Sequence, residues 1–392
     1  MERKHFLDNI RWVTVLLVLV YHVIYFYNAK GVPGGIGGFY ETQPWDAVIS
    51  VLYPWFMMLL FVVAGISARY ALNSLSHKEF IKTRTRKLLV PATIGLFVFQ
   101  WITGYFNTHM SGLDPLAEEP ILSKYIYWAF TGIGPLWFVQ NLWLFSLLLV
   151  LFRVIGKNKL YNALARSFQK DSLWPALLIV VLGFPILWAG AQCSIDLPEI
   201  VEDMDQETIT AVVAGNIWNI HRPFAYFVPF LMGYYLFSHD SIQEKMARLS
   251  IPFLIVALAL GTYNTIVMYG QNDIAPNVLR GWRCNLYAWF AILAMLSCFK
   301  TWFNKTNRFA TYMTQSSFGI YVVHYVVIIS LGYMMKFHTS LAPWMMYVIL
   351  FFAVMLLSPA IYEIIRRIPF VRWCVLGIKK TEERSKKKEG TA

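Results

Sequence analysis

Charged side chains are scarce in this chain of 392 residues. Only 14% of the residues are Asp, Glu, Lys or Arg, whereas 57% are hydrophobic and the mean hydropathy is +0.50. Soluble domains carry about 25% charged residues, so this composition excludes a division of the chain into ordinary soluble domains. No repeat of solenoid period is present either. The composition indicates a membrane protein along nearly the whole chain.

Several other features are missing. The four cysteines lack the spacing of a metal site, so we expect no metal. The first apolar stretch lacks a small-residue cleavage site, which favours a retained segment over a signal peptide. Acidic residues in the apolar stretches lie only at their edges, as Asp46 and Glu363 do. Proton-coupled carriers frequently place such residues inside, so their scarcity disfavours that class.

Apolar stretches long enough to cross a bilayer recur along the chain. We predict an all-α fold, a polytopic membrane helical bundle of about ten transmembrane helices with both termini in the cytoplasm. Residues 1–365 would form the membrane domain and residues 366–392 a basic cytoplasmic tail. The predicted spans are 10–27, 47–69, 88–105, 136–155, 174–191, 222–237, 250–269, 282–299, 315–335 and 343–365.

Positive charge supports this number of spans. With the N-terminus inside, the inner segments hold 25 Lys and Arg residues and the outer segments hold four. This asymmetry follows the positive-inside rule, so the net charge of +12 reflects topology and gives no reason to invoke nucleic acid. We expect a multi-pass protein of the inner or plasma membrane, with the lipid bilayer as its main partner. The acidic residues between 196 and 207 lie in the longest outer loop, where we expect them to be solvated; a metal site is the less favoured alternative. The sequence does not indicate an oligomeric state.

Arg11 and His22 are the most informative pair in the sequence. Eleven residues on a helix make about three whole turns, so both side chains share one face, about 16.5 Å apart along the axis. Ionisable residues in a membrane are costly and usually face a cavity or a partner. Asp8 precedes Arg11 by three residues and could hold its guanidinium. The pair predicts an anion bound at Arg11 and a proton-handling group at His22. The alternatives are an Arg that reaches lipid headgroups and a structural His.

A basic segment follows the second span. Arg84, Arg86 and Lys87 lie just inside the membrane, before Pro91. Clustered cations of this kind can bind phosphate groups. The same charges also satisfy the positive-inside rule, so this segment by itself leaves both interpretations open.

Three further residues are candidates for substrate binding. Trp137 follows a Gly-Pro bend at the start of the fourth span, where it either lines a substrate slot or anchors the interface. His324 lies near the middle of the ninth span, either in a cavity or in a helix–helix hydrogen bond. Asp46 lies at the edge of the second span.

Together, these motifs resemble the acyltransferase-3 family over about nine-tenths of the chain. The resemblance rests on Arg-x10-His in the first span, preceded by Leu7-Asp8, and on Phe56…Ala64-Gly65 in the second. The basic segment before Pro91, Leu136-Trp137-Phe138 and Ser317…Tyr321…His324 add to it. Two departures stand out: Arg84-Thr85-Arg86-Lys87 replaces Arg-x-x-Arg, and Ala64-Gly65 replaces Ser-Gly.

The resemblance implies an integral-membrane O-acyltransferase of the stand-alone form. Such enzymes move acyl groups, often acetyl, from cytoplasmic acyl-CoA to extracytoplasmic carbohydrate. His22 would be catalytic, and Arg11 would help to hold the acyl donor. Combined with the residues, it predicts that acetyl-CoA or another acyl-CoA binds at Arg11, Arg84, Arg86 and Lys87, and that His22 acts as a general base in O-acetylation of a cell-envelope polysaccharide or other glycoconjugate. An acyl-histidine route remains open. The competing function is a proton-coupled transporter or flippase.

Overall fold

The computed structural model describes residues 4–26, 42–110, 118–156, 158–169, 172–194, 221–271 and 275–379. All regular structure in these ranges is helical, and none of them contains a β-strand. The predicted all-α membrane fold is therefore confirmed. The acidic residues between 196 and 207, and the tail from residue 380 onward, lie outside the described residues.

The helices divide into long spans and short connecting helices. In chain order they are α1 (His5–Phe26), α2 (Ala47–Leu52), α3 (Phe56–Ser74), α4 (His77–Arg84), α5 (Trp101–Met110), α6 (Ile121–Thr131), α7 (Trp137–Gly156), α8 (Lys159–Phe168), α9 (Trp174–Gln192), α10 (Pro223–Met232), α11 (Asp240–Ala247), α12 (Ser250–Met268), α13 (Pro276–Arg280), α14 (Trp282–Trp302), α15 (Arg308–His338), α16 (Pro343–Ile365) and α17 (Pro369–Leu376).

Eight helical segments of the described chain are long and apolar enough to cross a membrane. They are α1, the α2–α3 segment, α7 with the turn before it, α9, α12, α14, α15 and α16. Each corresponds to one of the ten predicted spans. The other two predicted spans, 88–105 and 222–237, are helical but irregular. The first contains π-helical turns at Thr85–Leu89 and Leu96–Gln100 before α5, and the second is α10 followed by a π-helical turn at Gly233–Phe237.

Pro91 explains the break in the third predicted span. Proline has no amide hydrogen and its ring clashes with the preceding turn, which disfavours regular α-helical geometry at this position. The backbone instead makes wider turns, with the amides of Val90 and Gly95 donating to the carbonyls of Thr85 and Val90. The side-chain amide of Gln140 on α7 donates to the backbone carbonyl of Ala92 at 3.1 Å. Neighbouring helices thus satisfy backbone groups that would be costly in lipid.

The long helices form a buried inner group and a lipid-facing outer group. α1, α3, α14 and α15 are mostly buried within the protein, whereas α9, α12 and α16 bury only about a third of their apolar windows. α1 packs against α3 and α15, and α14 also contacts α1. The inner group therefore places the second and ninth predicted spans, which correspond to α3 and α15, beside the first predicted span, α1.

The predicted tail begins with ordered structure. α17 lies within residues 366–392 and packs against α15 and α16. Its Cys374, Val375 and Leu376 side chains are at most 1% exposed. The boundary of the membrane domain at residue 365 stays a prediction, but residues 369–376 are part of the packed protein.

Candidate active site

α1 carries both ends of the candidate site. The segment from His5 to Phe26 contains neither proline nor glycine and forms one unbroken helix. Arg11 and His22 are therefore three helical turns apart on the same helix, as predicted, with about 16.5 Å of axial rise between them. Between them on this face lie Val15 and Val18, which are buried. The helix thus separates a cationic end from an imidazole by an apolar stretch.

Arg11 is held by two neighbours. Its Nη1 lies 3.1 Å from Oδ1 of Asp8, the pair predicted from their spacing. Its Nη2 donates to Oγ of Ser67 on α3 at 3.0 Å, and Ser67 in turn donates to the carbonyl of Val63 at 2.8 Å. Both contacts fix the direction of the guanidinium. Ser67 lies one turn further along α3 than Ala64, the position at which the chain departs from the Ser-Gly motif.

The basic segment approaches Arg11 through Arg84. Burial first, and the neighbouring charge of Arg11 second, lower the pKa of Arg84 to about 10, so its guanidinium stays protonated at pH 7. The guanidinium carbon lies 5.1 Å from the centre of the Phe80 ring. Arg86 is half-buried and Lys87 is exposed. The structure therefore brings Arg84 into electrostatic contact with Arg11 and leaves Lys87 at the surface.

His22 meets a second histidine, His324 of α15. Nδ1 of His22 and Nε2 of His324 are 3.2 Å apart, although 302 positions separate the residues in sequence. His324 is fully buried, whereas His22 keeps accessible surface. Of the two rings, His22 is therefore the more accessible, and His324 lies behind it, within the protein.

Backbone carbonyls determine where the protons of this pair lie. A neutral imidazole has one N–H and one lone pair. Nδ1 of His324 faces the carbonyl of Tyr321, which can only accept, so Nδ1 carries the proton and Nε2 is an acceptor. Nδ1 of His22 lies 2.9 Å from the carbonyl of Val18 and also faces Nε2 of His324, so it too carries its proton. Nε2 of His22 is left with the lone pair that a general base needs.

Aromatic rings surround the histidine pair. The ring centres of Tyr325 and Tyr25 lie 5.4 and 6.3 Å from that of His22. Tyr21 packs edge-on against the same imidazole at 5.1 Å and stacks on Tyr53 at 5.6 Å. The imidazoles thus lie in a largely apolar shell that restricts their rotation and limits the access of water.

The Gly-Pro bend before α7 is part of this shell. The hydroxyl of Tyr321 donates to the carbonyl of Pro135, which joins two of the predicted motifs directly. Gly134 adopts a φ of +43°, and a β-carbon there would lie 3.2 Å from the ring of Tyr325. A side chain at this position is therefore disfavoured by both the backbone conformation and the neighbouring ring.

Trp137 lies in a separate aromatic cluster beside this bend. Its ring centre is 4.8 Å from His221 and 5.1 Å from Tyr226, and Phe138 links the cluster to Tyr321 at 5.7 Å. Burial, with a smaller contribution from the charge of Arg222, lowers the pKa of His221 to about 3. Trp137 is thus near the site through its neighbours, and direct contact with a substrate stays a prediction.

Asp46 has a local role. It is 1% exposed, and its Oδ2 accepts a hydrogen bond from the amide of Gln43 at 3.1 Å. It thereby stabilises the 3₁₀ turn at Pro44–Asp46. Substrate binding by Asp46 stays a prediction.

Sequence reasoning did not single out several residues that build this site. Gln100 donates to the carbonyl of Val322 at 2.8 Å and ties the irregular third span to α15. Asn141 donates to the carbonyl of His221 at 2.8 Å, one residue after Gln140 reaches Ala92. Buried amides in apolar spans were the available signal, because such residues rarely remain there without a partner. The sequence signal at Ser67, a hydroxyl residue within an apolar helix, was weaker.

Comparison with known proteins gives one family. A family model described as an acyltransferase domain matches residues 4–363, which includes α1, the basic segment and the histidine pair. No curated protein and no solved structure gives a significant match.

Proposed function

The chain belongs to the acyltransferase-3 family, whose model covers residues 4–363, and on that premise we propose a specific reaction. An acyl group, acetyl in the simplest case, passes from acyl-CoA on the cytoplasmic side to a hydroxyl group of an extracytoplasmic glycan. Membrane acyltransferase activity follows from the family itself. The donor, the acyl group, the acceptor and the role of His22 are our proposal.

The cationic end of α1 suits the donor. Arg11 and Arg84 are close enough for the charge of one to affect the other, and the described ion pairs give Arg11 a single carboxylate partner, Asp8. A group with several phosphates would balance this excess of positive charge. The pantetheine arm of CoA is long and thin, of the same order as the roughly 16.5 Å of helix between Arg11 and His22. With its phosphates at Arg11, Arg84, Arg86 and Lys87, the thioester would reach His22.

His22 then supplies the base. Its Nε2 takes the proton from the acceptor hydroxyl as the hydroxyl oxygen attacks the thioester carbonyl carbon. The new C–O bond forms, the C–S bond breaks, and the CoA sulfur leaves as a thiolate that takes the proton back from His22. General-base help of this kind is typically worth about 10²–10⁴-fold, so the positioning of both substrates must supply much of the remaining acceleration.

The contact between His22 and His324 carries this proposal. A structural histidine would need one hydrogen bond to satisfy it, and the carbonyl of Val18 already provides that. The second histidine adds an acceptor behind the same Nδ1 and keeps the proton there. This arrangement favours a ring held in one tautomer, with its other nitrogen available for chemistry.

The test is acyl transfer in inverted membrane vesicles, with labelled acetyl-CoA outside and the lumenal glycan fraction collected. We expect label in that fraction with the wild type and at least about 10²-fold less with His22→Ala. His109→Ala is the matched control, because His109 makes the same bond to a carbonyl four residues earlier but is exposed on α5. Equal transfer by the wild type and His22→Ala would contradict the proposal.

A further inference from the structure

A second pair of arginines meets outside the candidate active site. Nη1 of Arg69 on α3 and Nη1 of Arg153 on α7 lie 3.2 and 3.3 Å from the same atom, the hydroxyl oxygen of Tyr234. Tyr234 is fully buried in the π-helical turn that follows α10. Two like charges thus converge on one neutral oxygen.

This pair has no acidic partner in the described part of the chain. The ion pairs there join Lys4 to Asp240, Arg11 to Asp8 and Arg366 to Glu363. A phenol oxygen can accept hydrogen bonds but cannot neutralise two guanidinium groups. Nε of Arg69, moreover, is buried and makes no hydrogen bond to any residue that the structure describes. The cluster therefore has both charge and a donor to spare for an anion.

Arg69 is fixed in place by stacking. Its guanidinium carbon lies 3.5 Å from the centre of the Tyr161 ring, and Tyr161 stacks on His239 at 4.1 Å with an angle of 19°. Burial is the main cause that lowers the pKa of His239 to about 4, so this ring adds no charge at pH 7. A guanidinium held in this way is preorganised for two-pronged binding of a phosphate.

Close helix packing holds Tyr234 in position. A β-carbon at Gly65 would lie 2.0 Å from the carbonyl oxygen of Phe230 and 2.9 Å from the backbone nitrogen of Tyr234. Only glycine therefore lets α3 approach the turn that carries Tyr234. Arg69 and Tyr234 therefore extend from two helical segments whose backbones are in direct contact. This support makes their positions more rigid than those of surface side chains.

The surroundings of Arg153 place the cluster at the edge of the membrane. Its neighbours along α7 are exposed and apolar: Leu151, Phe152, Val154 and Ile155 are 41–72% exposed. Such residues suit contact with lipid, and the long side chain of an arginine among them can extend to the level of the phosphate groups. α8 begins directly afterwards with Lys159, and its Leu160 is also 58% exposed.

We propose that Arg69, Arg153 and Tyr234 form a phosphate-binding site, distinct from the Arg11–Arg84 cluster. Two sources of phosphate fit the chemistry. One is the headgroup of an anionic phospholipid, which the exposed apolar flank of Arg153 favours, and the other is a phosphate of the CoA nucleotide. The second source rests on the proposed function, whereas the first does not.

The experiment is native mass spectrometry of the full-length protein in detergent, titrated separately with phosphatidylglycerol, phosphatidylcholine and CoA. For Arg153→Gln we expect roughly fivefold weaker binding of phosphatidylglycerol, as for one basic residue at a membrane surface, and unchanged binding of phosphatidylcholine. Arg308→Gln is the matched control, because Arg308 is exposed at the start of α15 on the same predicted side. Arg11→Gln should weaken CoA binding only.

The binding of phosphatidylglycerol and of CoA to Arg153→Gln determines which source of phosphate occupies the site, if either does. Weaker phosphatidylglycerol binding by Arg153→Gln assigns the site to a lipid headgroup, and weaker CoA binding with unchanged phosphatidylglycerol binding assigns it to the nucleotide. Unchanged binding of both probes overturns the proposal. If Arg153→Gln does not fold, Arg153→Lys is titrated with the same two probes. Lysine keeps the positive charge but lacks the planar guanidinium that can bind a phosphate through two hydrogen bonds. Because the readout is binding, failure of this proposal is distinguishable from failure of the proposed reaction.

Discussion

The two ends of α1 differ in how they hold their functional groups. At the predicted cytoplasmic end, Arg11 and Arg84 act through charge, with Asp8 and Ser67 orienting one of them. At the other end, His22 and His324 act through a single hydrogen bond between two rings in an apolar shell. Charge acts over several ångströms, whereas a hydrogen bond depends on tenths of an ångström. The histidine end should therefore be far more sensitive to substitution than the arginine end.

Substitution of His324 should reduce the rate of acyl transfer more than any other change considered below. His324→Ala removes the second acceptor behind Nδ1 of His22, leaves only the carbonyl of Val18 and gives the imidazole more freedom to rotate. We expect kcat to fall roughly 10–100-fold, the range typical of a residue that orients a functional histidine, with little change in the KM for acyl-CoA. Steady-state kinetics in membranes measures both. A change confined to KM would place His324 in donor binding instead.

A smaller effect is expected at the arginine end. Arg11→Ala removes a charge-assisted contact to the donor, so the KM for acyl-CoA should rise about tenfold while kcat changes little. Equilibrium binding of CoA provides the same comparison without turnover. Loss of acyl transfer with unchanged affinity for CoA would contradict the anchoring role of Arg11.

Ser67 should matter less than the arginine that it orients. Ser67→Ala removes one of the two contacts that direct the guanidinium of Arg11 and leaves the Asp8 pair in place. One hydrogen bond is worth about 1 kcal/mol, so the KM for acyl-CoA should rise roughly fivefold. Ser74→Ala is the control, because Ser74 is an exposed serine of the same helix that bonds only its own backbone. Equal KM values for both variants would exclude a role for Ser67.

The smallest effect concerns pH. Burial and the charge of Arg11 lower the pKa of Arg84 to about 10, and a guanidinium loses its charge only as the pH rises through its pKa. Binding of CoA should therefore be constant between about pH 7 and 9 and should weaken only as pH 10 is approached. Isothermal titration with CoA across this range measures it. In Arg84→Gln the decline near pH 10 should be smaller than in the wild type, and an equal decline in both proteins would assign it to another group.

Local patterns predicted most of the fold, because hydropathy over twenty residues reports directly on a membrane span. They failed to predict the irregular third span, although Pro91 is visible in the sequence, since the wider turns around it depend on Gln140 from α7. The site was predictable only in part. Arg11 and His22 lie on one helix, so their spacing fixes their relation, whereas the contact of His22 with His324 depends on how α1 packs against α15.

Ser67 illustrates a second limit. The resemblance drew attention to a missing serine at Ala64, whereas the hydroxyl that contacts the guanidinium of Arg11 belongs to Ser67, one turn further along α3. A comparison of motifs by position does not reveal this contact, because it depends on which face of α3 lies toward Arg11.

A double-mutant cycle on the histidine pair is the decisive experiment on the role of His22 as a base oriented by His324. Single-turnover acyl transfer is measured for wild type, His22→Ala, His324→Ala and the double variant. If His324 acts only by holding the tautomer of His22, the double variant will be no slower than His22→Ala alone. A rate reduced by the product of the two single effects would mean that the residues act independently, and the account of His22 as a base held by His324 would be wrong.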